Sequence, residues 1–456
     1  MNERKEVRAY LDTVQEQIRW RRARPVLALE LERHLADQTE ALQAEGVCED
    51  EAVRLALEDM GDPVALGAEL DRVHRPRPQW GLLGLTLGLA AVCGILRAVL
   101  MECDLYETGR LLLALALGSL AMFGMYLLDI SRLARYSLRV CLCSLMLVSS
   151  LLMSSMRAES YGVYPNTGRF YYVLLCLPVV YALWVYWCRD KGWAGLGLAW
   201  AGVFPLCYPG IRWYSLSNVA LMLACGFFLL MYAAWQDWFG VRRWRGVGAV
   251  LLAETALAAG FFRYTSTLPG AVNRLRGALH PELDPLGSGW IGTHLRASLK
   301  DLPLLRSAAE RADYAAGASF GLAVPSGQYL DRDFLLAETA ARWGWLPLLL
   351  LVAAMTALLV WLAVRGLRQT HRLGRLVVLA VALSMGLRLL VSTAINLGFV
   401  LFAPSFPMLG GNTYIVVDMA LIGLALSVFR GDSIAREEFT PPPRRIRRIR
   451  LVVEYR

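Results

Sequence analysis

No CxxC pair, no histidine-rich spacing and no GxxxxGK[ST] loop occurs in this sequence. A structural zinc site, a disulfide framework and a self-contained ATP-driven pump are thereby excluded. Nine cysteines are present, but most lie inside apolar runs, as Cys93, Cys141, Cys143, Cys176 and Cys225 do. Charge is also scarce: 19% of residues are charged and 56% are hydrophobic, with a mean hydropathy of +0.43. The first 75 residues are polar and helical in pattern, so no cleavable signal peptide is expected. The net charge of +9 fits a nucleic-acid binder on its own. A chain with membrane-length apolar segments between its basic clusters does not, and no nucleic-acid partner is expected.

What is present is a series of long apolar runs, at roughly 80–101, 111–130, 137–155, 170–187, 193–207, 214–235, 246–262, 343–364, 376–402 and 411–429. Most are close to the ~20 residues that cross ~30 Å of hydrocarbon. The expected fold is all-α: a polytopic membrane protein of about ten transmembrane helices, with a small soluble helical domain at the amino end. The runs delimit a soluble segment 1–76, a transmembrane region 77–430 and a basic tail 431–456. One connection, 263–342, is long enough to fold over the membrane surface, and "SLKDLPLLRSAAERADYAAGASFGLAV" within it reads as helical.

Arginine counting sets the expected orientation. Alternate loops carry a basic excess, from Arg132, Arg135 and Arg139 through Arg189, Lys191 and Arg242 to Arg372 and Arg375. The intervening short loops carry only Arg110, Arg157, Arg169 and Arg212. The basic side is cytoplasmic, so both termini are expected inside and loop 263–342 outside. The arginines of the tail would then meet anionic lipid.

The segment 22–75 holds "LERHLADQTEALQAEG" and "DEAVRLALEDMGDPVALGAEL". Apolar residues recur at helical spacing, Gly46 and Gly61 stop helices and Pro63 starts one. It resembles the permease prefix domain, which implies a cytoplasmic three-helix appendage.

Three further stretches carry a second resemblance. They are "RLRGALHPELDPLGSGW" from Arg274, "RDFLLAETAARWGW" from Arg332, and "INLGFVLFAPSFPMLGGNTYIVVDMALIGLALSV" from Ile395. In order and spacing they are similar to the SEDS family of membrane glycosyltransferases, the RodA, FtsW and SpoVE group. Asp333, Phe334, Ala337 and Gly344 keep the spacing of the second family segment, and Asn396, Gly398, Pro407, Gly410 and Gly411 that of the third. The sequence also departs from the family. Ala341 and Arg342 stand where it has two glutamates, Met408 and Leu409 replace Ser-Tyr before the paired glycines, and no lysine motif is found at the fourth span.

The resemblance implies polymerisation of lipid II at the outer face of the bacterial cytoplasmic membrane, in cell shape or division, beside a class B penicillin-binding protein. It also implies Mg2+ or another divalent cation to assist the departing pyrophosphate. A sugar hydroxyl needs a base in the transition state, and Asp333 is the carboxylate that the topology sets at headgroup depth. Its plain alternative is a helix N-cap. Asp331 is a solvated neighbour or a second carboxylate on a shared cation. Arg274 and Arg276 can hold phosphate or simply lie in the headgroup layer. Asn396, Gly410 and Gly411 are expected against substrate, or in a turn. Arg388 and Glu254, both inside spans, are expected to pair, whereas Arg97 can snorkel without a partner. A non-enzymatic scaffold, or a transporter of the lipid-linked precursor, is the alternative function.

Overall fold

The structure, a computed structural model, describes all residues except 1–2, 21–22, 75–78, 129, 161–167, 213–215, 268, 311–333, 402–404 and 432–456. The basic tail and both candidate aspartates, Asp331 and Asp333, therefore lie outside the described residues. The described chain is helical, with no strand assigned, and divides into two compact units.

The first unit contains α1 (Glu3–Gln17), α2 (Arg24–Ala44), α3 (Glu49–Met60) and α4 (Pro63–His74). The last three are the helices read from the sequence; α1 adds a fourth in front of them. Leu11, Val14 and Ile18 share one helical face and are buried, Val14 and Ile18 against Ala23 and Leu27 and Leu11 against Leu35 and Ala56. Gly67 lets α4 approach α1 so closely that a Cβ there would strike Val14 and Gln17. The α3 helix stops at Gly61, in the left-handed region at φ +77°, whose carbonyl accepts a 2.9 Å bond from the Tyr10 hydroxyl.

The second unit runs from Trp80 to Val428. Its helices are α5 (Trp80–Leu100), α6 (Leu105–Tyr126), the short α7 (Ile130–Arg135), α8 (Ser137–Ser160), α9 (Gly168–Trp187), α10 (Gly192–Ala201), α11 (Val203–Arg212), α12 (Leu216–Trp235) and α13 (Arg243–Thr265). They are followed by α14 (Pro269–Leu279), α15 (Trp290–Leu299), α16 (Leu335–Trp343), α17 (Trp345–Leu367), α18 (Arg372–Asn396) and α19 (Asn412–Gly431).

Among the described residues eight segments are long and apolar enough to cross a membrane. Helix α9 adds a shorter apolar stretch, Val173–Trp187. Helix α13, 23 residues long, includes Arg243, Arg245, Glu254 and Arg263. Together these occupy the ten apolar runs. The short fifth run is two helices, α10 and α11, that meet at Gly202. Trp184 occupies the space that a Cβ at Gly202 would need, and its indole N–H donates to the Leu198 carbonyl at 2.9 Å.

Helix α18 is the axis of the bundle, packed against α9, α12 and α17. Helix α19 is also deeply buried and meets α6 through two glycines. A Cβ at Gly118 would strike Met419, and one at Gly423 would strike the Met122 backbone. Small residues allow this backbone approach where no hydrophobic drive between helices operates.

Candidate functional site at the roof of the bundle

At one end of the bundle α5 and α18 finish, and α6, α17 and α19 begin. This roof gathers the three sequence stretches singled out above.

The third stretch organises it. Asn396, buried at the last position of α18, donates to the Ser392 carbonyl at 2.8 Å. Its side-chain oxygen accepts the Ala337 backbone N–H at 3.0 Å. Ala337 lies in the first turn of α16, where N–H groups have no intrahelical acceptor. The cap residue of α16 is Phe334, which has no side-chain oxygen; Asn396 does the capping from another helix. The eighth span, α17, has Gly344 as its cap residue and is preceded by a separate nine-residue helix, α16; the capping role expected of Asp333 lies outside the described residues.

Two residues on, Gly398 has φ +91°, and a Cβ there would meet the Arg296 side chain at 2.7 Å. Arg296 lies on α15, its guanidinium 4.8 Å above the Phe399 ring and 3.6 Å from Glu282. One Asn-Leu-Gly motif therefore seats two roof helices, α16 through Asn396 and α15 through Gly398.

The second stretch is held on its other sides too. Arg342 bonds Glu338 at 2.9 Å, one turn back, and reaches Glu102 in the α5–α6 turn at 3.4 Å. Gly344, at φ +94°, separates α16 from α17, and a Cβ there would collide with the Pro303 and Leu304 carbonyls. These carbonyls accept the Trp345 and Leu346 N–H groups at 3.2 and 2.8 Å. The backbone from Lys300 to Ser307 is accordingly not helical, contrary to the helical reading of that part of the loop.

In the first stretch, Asp284 closes a turn, accepting from the Ser288 N–H at 2.8 Å and hydroxyl at 3.0 Å. Glu282 is held below the usual carboxylate range by its own backbone N–H, then by His280 and Arg296. Arg274 and Arg276 lie on α14 and are exposed, and neither makes an ion pair among the described residues. They are available to an anion.

Gly410 and Gly411 end the turn 405–411. A Cβ at Gly410 would collide with the Ser405 side chain, whereas at Gly411 it would meet only Tyr414, at 3.6 Å. The turn therefore has no room for a side chain at Gly410 but has room for one at Gly411.

Two pairings differ from those expected. Arg388 is bonded to Asp418 on α19, not to Glu254. Glu254 is on α13, which packs on α12, whereas Arg388 faces α19. The missed signal is Asp418 itself, a carboxylate inside the last apolar run. It lies ~9 Å along α19 from Asn412 at 1.5 Å per residue, while Arg388 lies ~12 Å from the end of α18. Arg97 is buried and donates to the Asn412 side chain at 2.8 Å, so it does not snorkel free.

Among the described residues no three His, Cys, Asp or Glu side chains converge on a point that would hold a metal. The expected donors, Asp331 and Asp333, lie outside that set.

No family model matches the sequence. A curated relative, "Probable peptidoglycan glycosyltransferase FtsW" of Thioalkalivibrio sp. (strain K90mix), is 31% identical over 200 residues. The match covers 39% of this chain and 44% of that protein, so the chain spans less than half the length of the relative. Among solved structures, one described as "Structural coordination of polymerization and crosslinking by a peptidoglycan synthase complex" superposes with a TM-score of 0.58 at 18% identity. That superposition covers 77% of this chain and 97% of the other. An aspartate-to-alanine variant of the rod shape-determining protein RodA from Thermus thermophilus gives 0.50 at 15% identity, covering 78% and 98%.

Proposed function

We propose that this chain, which is similar to FtsW in part and shares its fold with RodA structures, is a peptidoglycan glycosyltransferase of the SEDS family that polymerises lipid II at the outer face of the bacterial cytoplasmic membrane. The observation that carries this reading is the roof. Three stretches far apart in sequence meet there, and Asn396 caps the helix that begins two residues after Asp333.

In this reading Asp333 takes the proton from the acceptor sugar 4-hydroxyl as that oxygen attacks the donor anomeric carbon. The anomeric bond to undecaprenyl pyrophosphate breaks and the pyrophosphate leaves. General-base assistance of this kind contributes about 10²–10⁴-fold. Arg274 and Arg276, exposed on α14, hold the pyrophosphate by charge-assisted bonds. Asp331 and Asp333 suit Mg2+, which favours one or two carboxylates completed by substrate phosphate and water. Bound there, the ion would supply neutralisation of the leaving group. The arginine bias supports placing the roof outside and both termini in the cytoplasm. A class B penicillin-binding protein is the proposed partner.

Purified protein with that partner, fluorescent lipid II and Mg2+ should give glycan ladders that disappear in Asp333→Ala. Ladders that persist in that variant sink the assignment of the base, and none from the wild-type pair sinks the activity. A second reading, a scaffold or precursor transporter, is favoured by one feature. Arg342 stands where the family has a glutamate and is committed to Glu338 and Glu102. Lipid movement across vesicles without ladders would support transport.

A further inference from the structure

Arg388 and Asp418 are almost wholly buried, on adjoining helices. A buried ion pair adds little net stability, because desolvation offsets the attraction. Its presence inside an apolar bundle therefore calls for another reason.

Asp418 supplies one. Its first carboxylate oxygen meets Arg388, and its second accepts the Met408 N–H at 2.9 Å. Met408 is fully buried and has φ +60°, a left-handed conformation that costs a non-glycine residue energy. The Leu409 and Gly410 N–H groups both turn to the Phe406 carbonyl, at 3.2 Å each. The Met408 N–H, inverted with the backbone, instead uses the carboxylate of α19. Arg388 aims that carboxylate. Its Nε and Nη1 find no acceptor among the described residues, where its one polar bond is to Asp418. On the other side Arg97 holds Asn412, the first residue of α19. The buried part of the turn, 405–409, is thus hung from below, while Gly410, Gly411 and Asn412 reach partial exposure at the roof.

We propose that Arg388 and Asp418 are positioning residues. The pair fixes the inverted turn at Met408 and so presents the Gly410–Asn412 backbone to the lipid-linked substrate. The substrate part rests on the glycosyltransferase reading; the fixing of the turn does not.

The test uses the full-length purified protein and hydrogen exchange across 405–411. Arg388→Met with Asp418→Leu replaces the pair by apolar side chains that can pack. Exchange in the turn should rise about tenfold or more, with α17 and α18 unchanged. Arg388→Gln with Asp418→Asn removes both charges but keeps an acceptor for the Met408 N–H, so protection should remain. If the apolar pair does not fold, Arg388→Gln with Asp418→Ala replaces it, since alanine offers the Met408 N–H no acceptor. Equal protection of the turn in the wild type and the acceptor-free variants would overturn the proposal, as would its loss in the Gln/Asn variant. With fluorescent lipid II, the acceptor-free variants should raise KM by about tenfold with little change in kcat, and the Gln/Asn variant should restore it. An inactive wild type would remove the glycosyltransferase reading and leave the exchange result to decide the turn.

Discussion

Asn396 makes a prediction that its chemistry alone does not. Read as a sequence position it was a polar group for substrate; in the structure both ends of its amide are occupied, by Ser392 and Ala337. Asn396→Leu would leave the Ala337 N–H buried without an acceptor, a loss of about 1–3 kcal/mol. Asn396→Asp keeps the acceptor at a helix amino end and should recover most of it. Thermal melts of the detergent-solubilised chain would show both. His371 gives a pH dependence. Burial, then Arg189 and Arg375, pushes its imidazole down to about 4, and its neutral ring accepts the Gly374 N–H to cap α18. The unfolded chain protonates near ~6.5, so it binds the proton first as pH falls. The stability from neutral His371 is complete above ~6.5 and is lost between ~6.5 and ~4, up to about 3 kcal/mol. Melting temperature should fall more steeply over that range in the wild type than in His371→Asn. At this scale residue types were legible in the sequence, but partners were not. Arg388 was matched to Glu254 because both are charged and inside spans, while the choice of Asp418 depends on which helices touch.

The elements were more legible, for a physical reason. A ~30 Å apolar slab imposes a length on every crossing, and the ten runs appear as helices, the fifth as two, with ends up to six residues from the expected limits. What escaped are elements set by tertiary contacts. Helix α16 exists as a unit because Gly344 takes φ +94° and Asn396 caps its start. The Lys300–Ser307 segment is not helical because Pro303 and Leu304 pair with the backbone beyond Gly344. Glycine substitutions separate these positions. Gly344→Ala and Gly398→Ala each combine a left-handed φ with a collision and should destabilise by about 1–3 kcal/mol or more. Gly411→Ala has room and should be close to neutral. Melting temperatures of the three variants would order them, and a sensitive Gly411→Ala would contradict the open side of the turn.

At the scale of the whole molecule, the proposal of chemistry depends on which side of the membrane the roof occupies. The arginine asymmetry from which that side is proposed is summed over many loops and needs no knowledge of contacts. It has a direct test. Leu286, in the turn closed by Asp284, is 91% exposed. Gln236, in the turn after α12, is exposed as well and lies in a loop assigned to the other face. With the exposed Cys48 and Cys143 replaced by serine, a membrane-impermeant maleimide should label Leu286→Cys in intact cells. Gln236→Cys should react only after the membrane is opened. In the ten-crossing arrangement α13 alone separates the two sites, so they should differ. If the pattern is reversed, the roof faces the cytoplasm, where a base at Asp333 would be on the wrong side of the membrane for chain extension. The packing described for Asn396, Gly398 and Met408 would stand, since none of it depends on orientation. Topology is therefore the property on which the fold and the function separate.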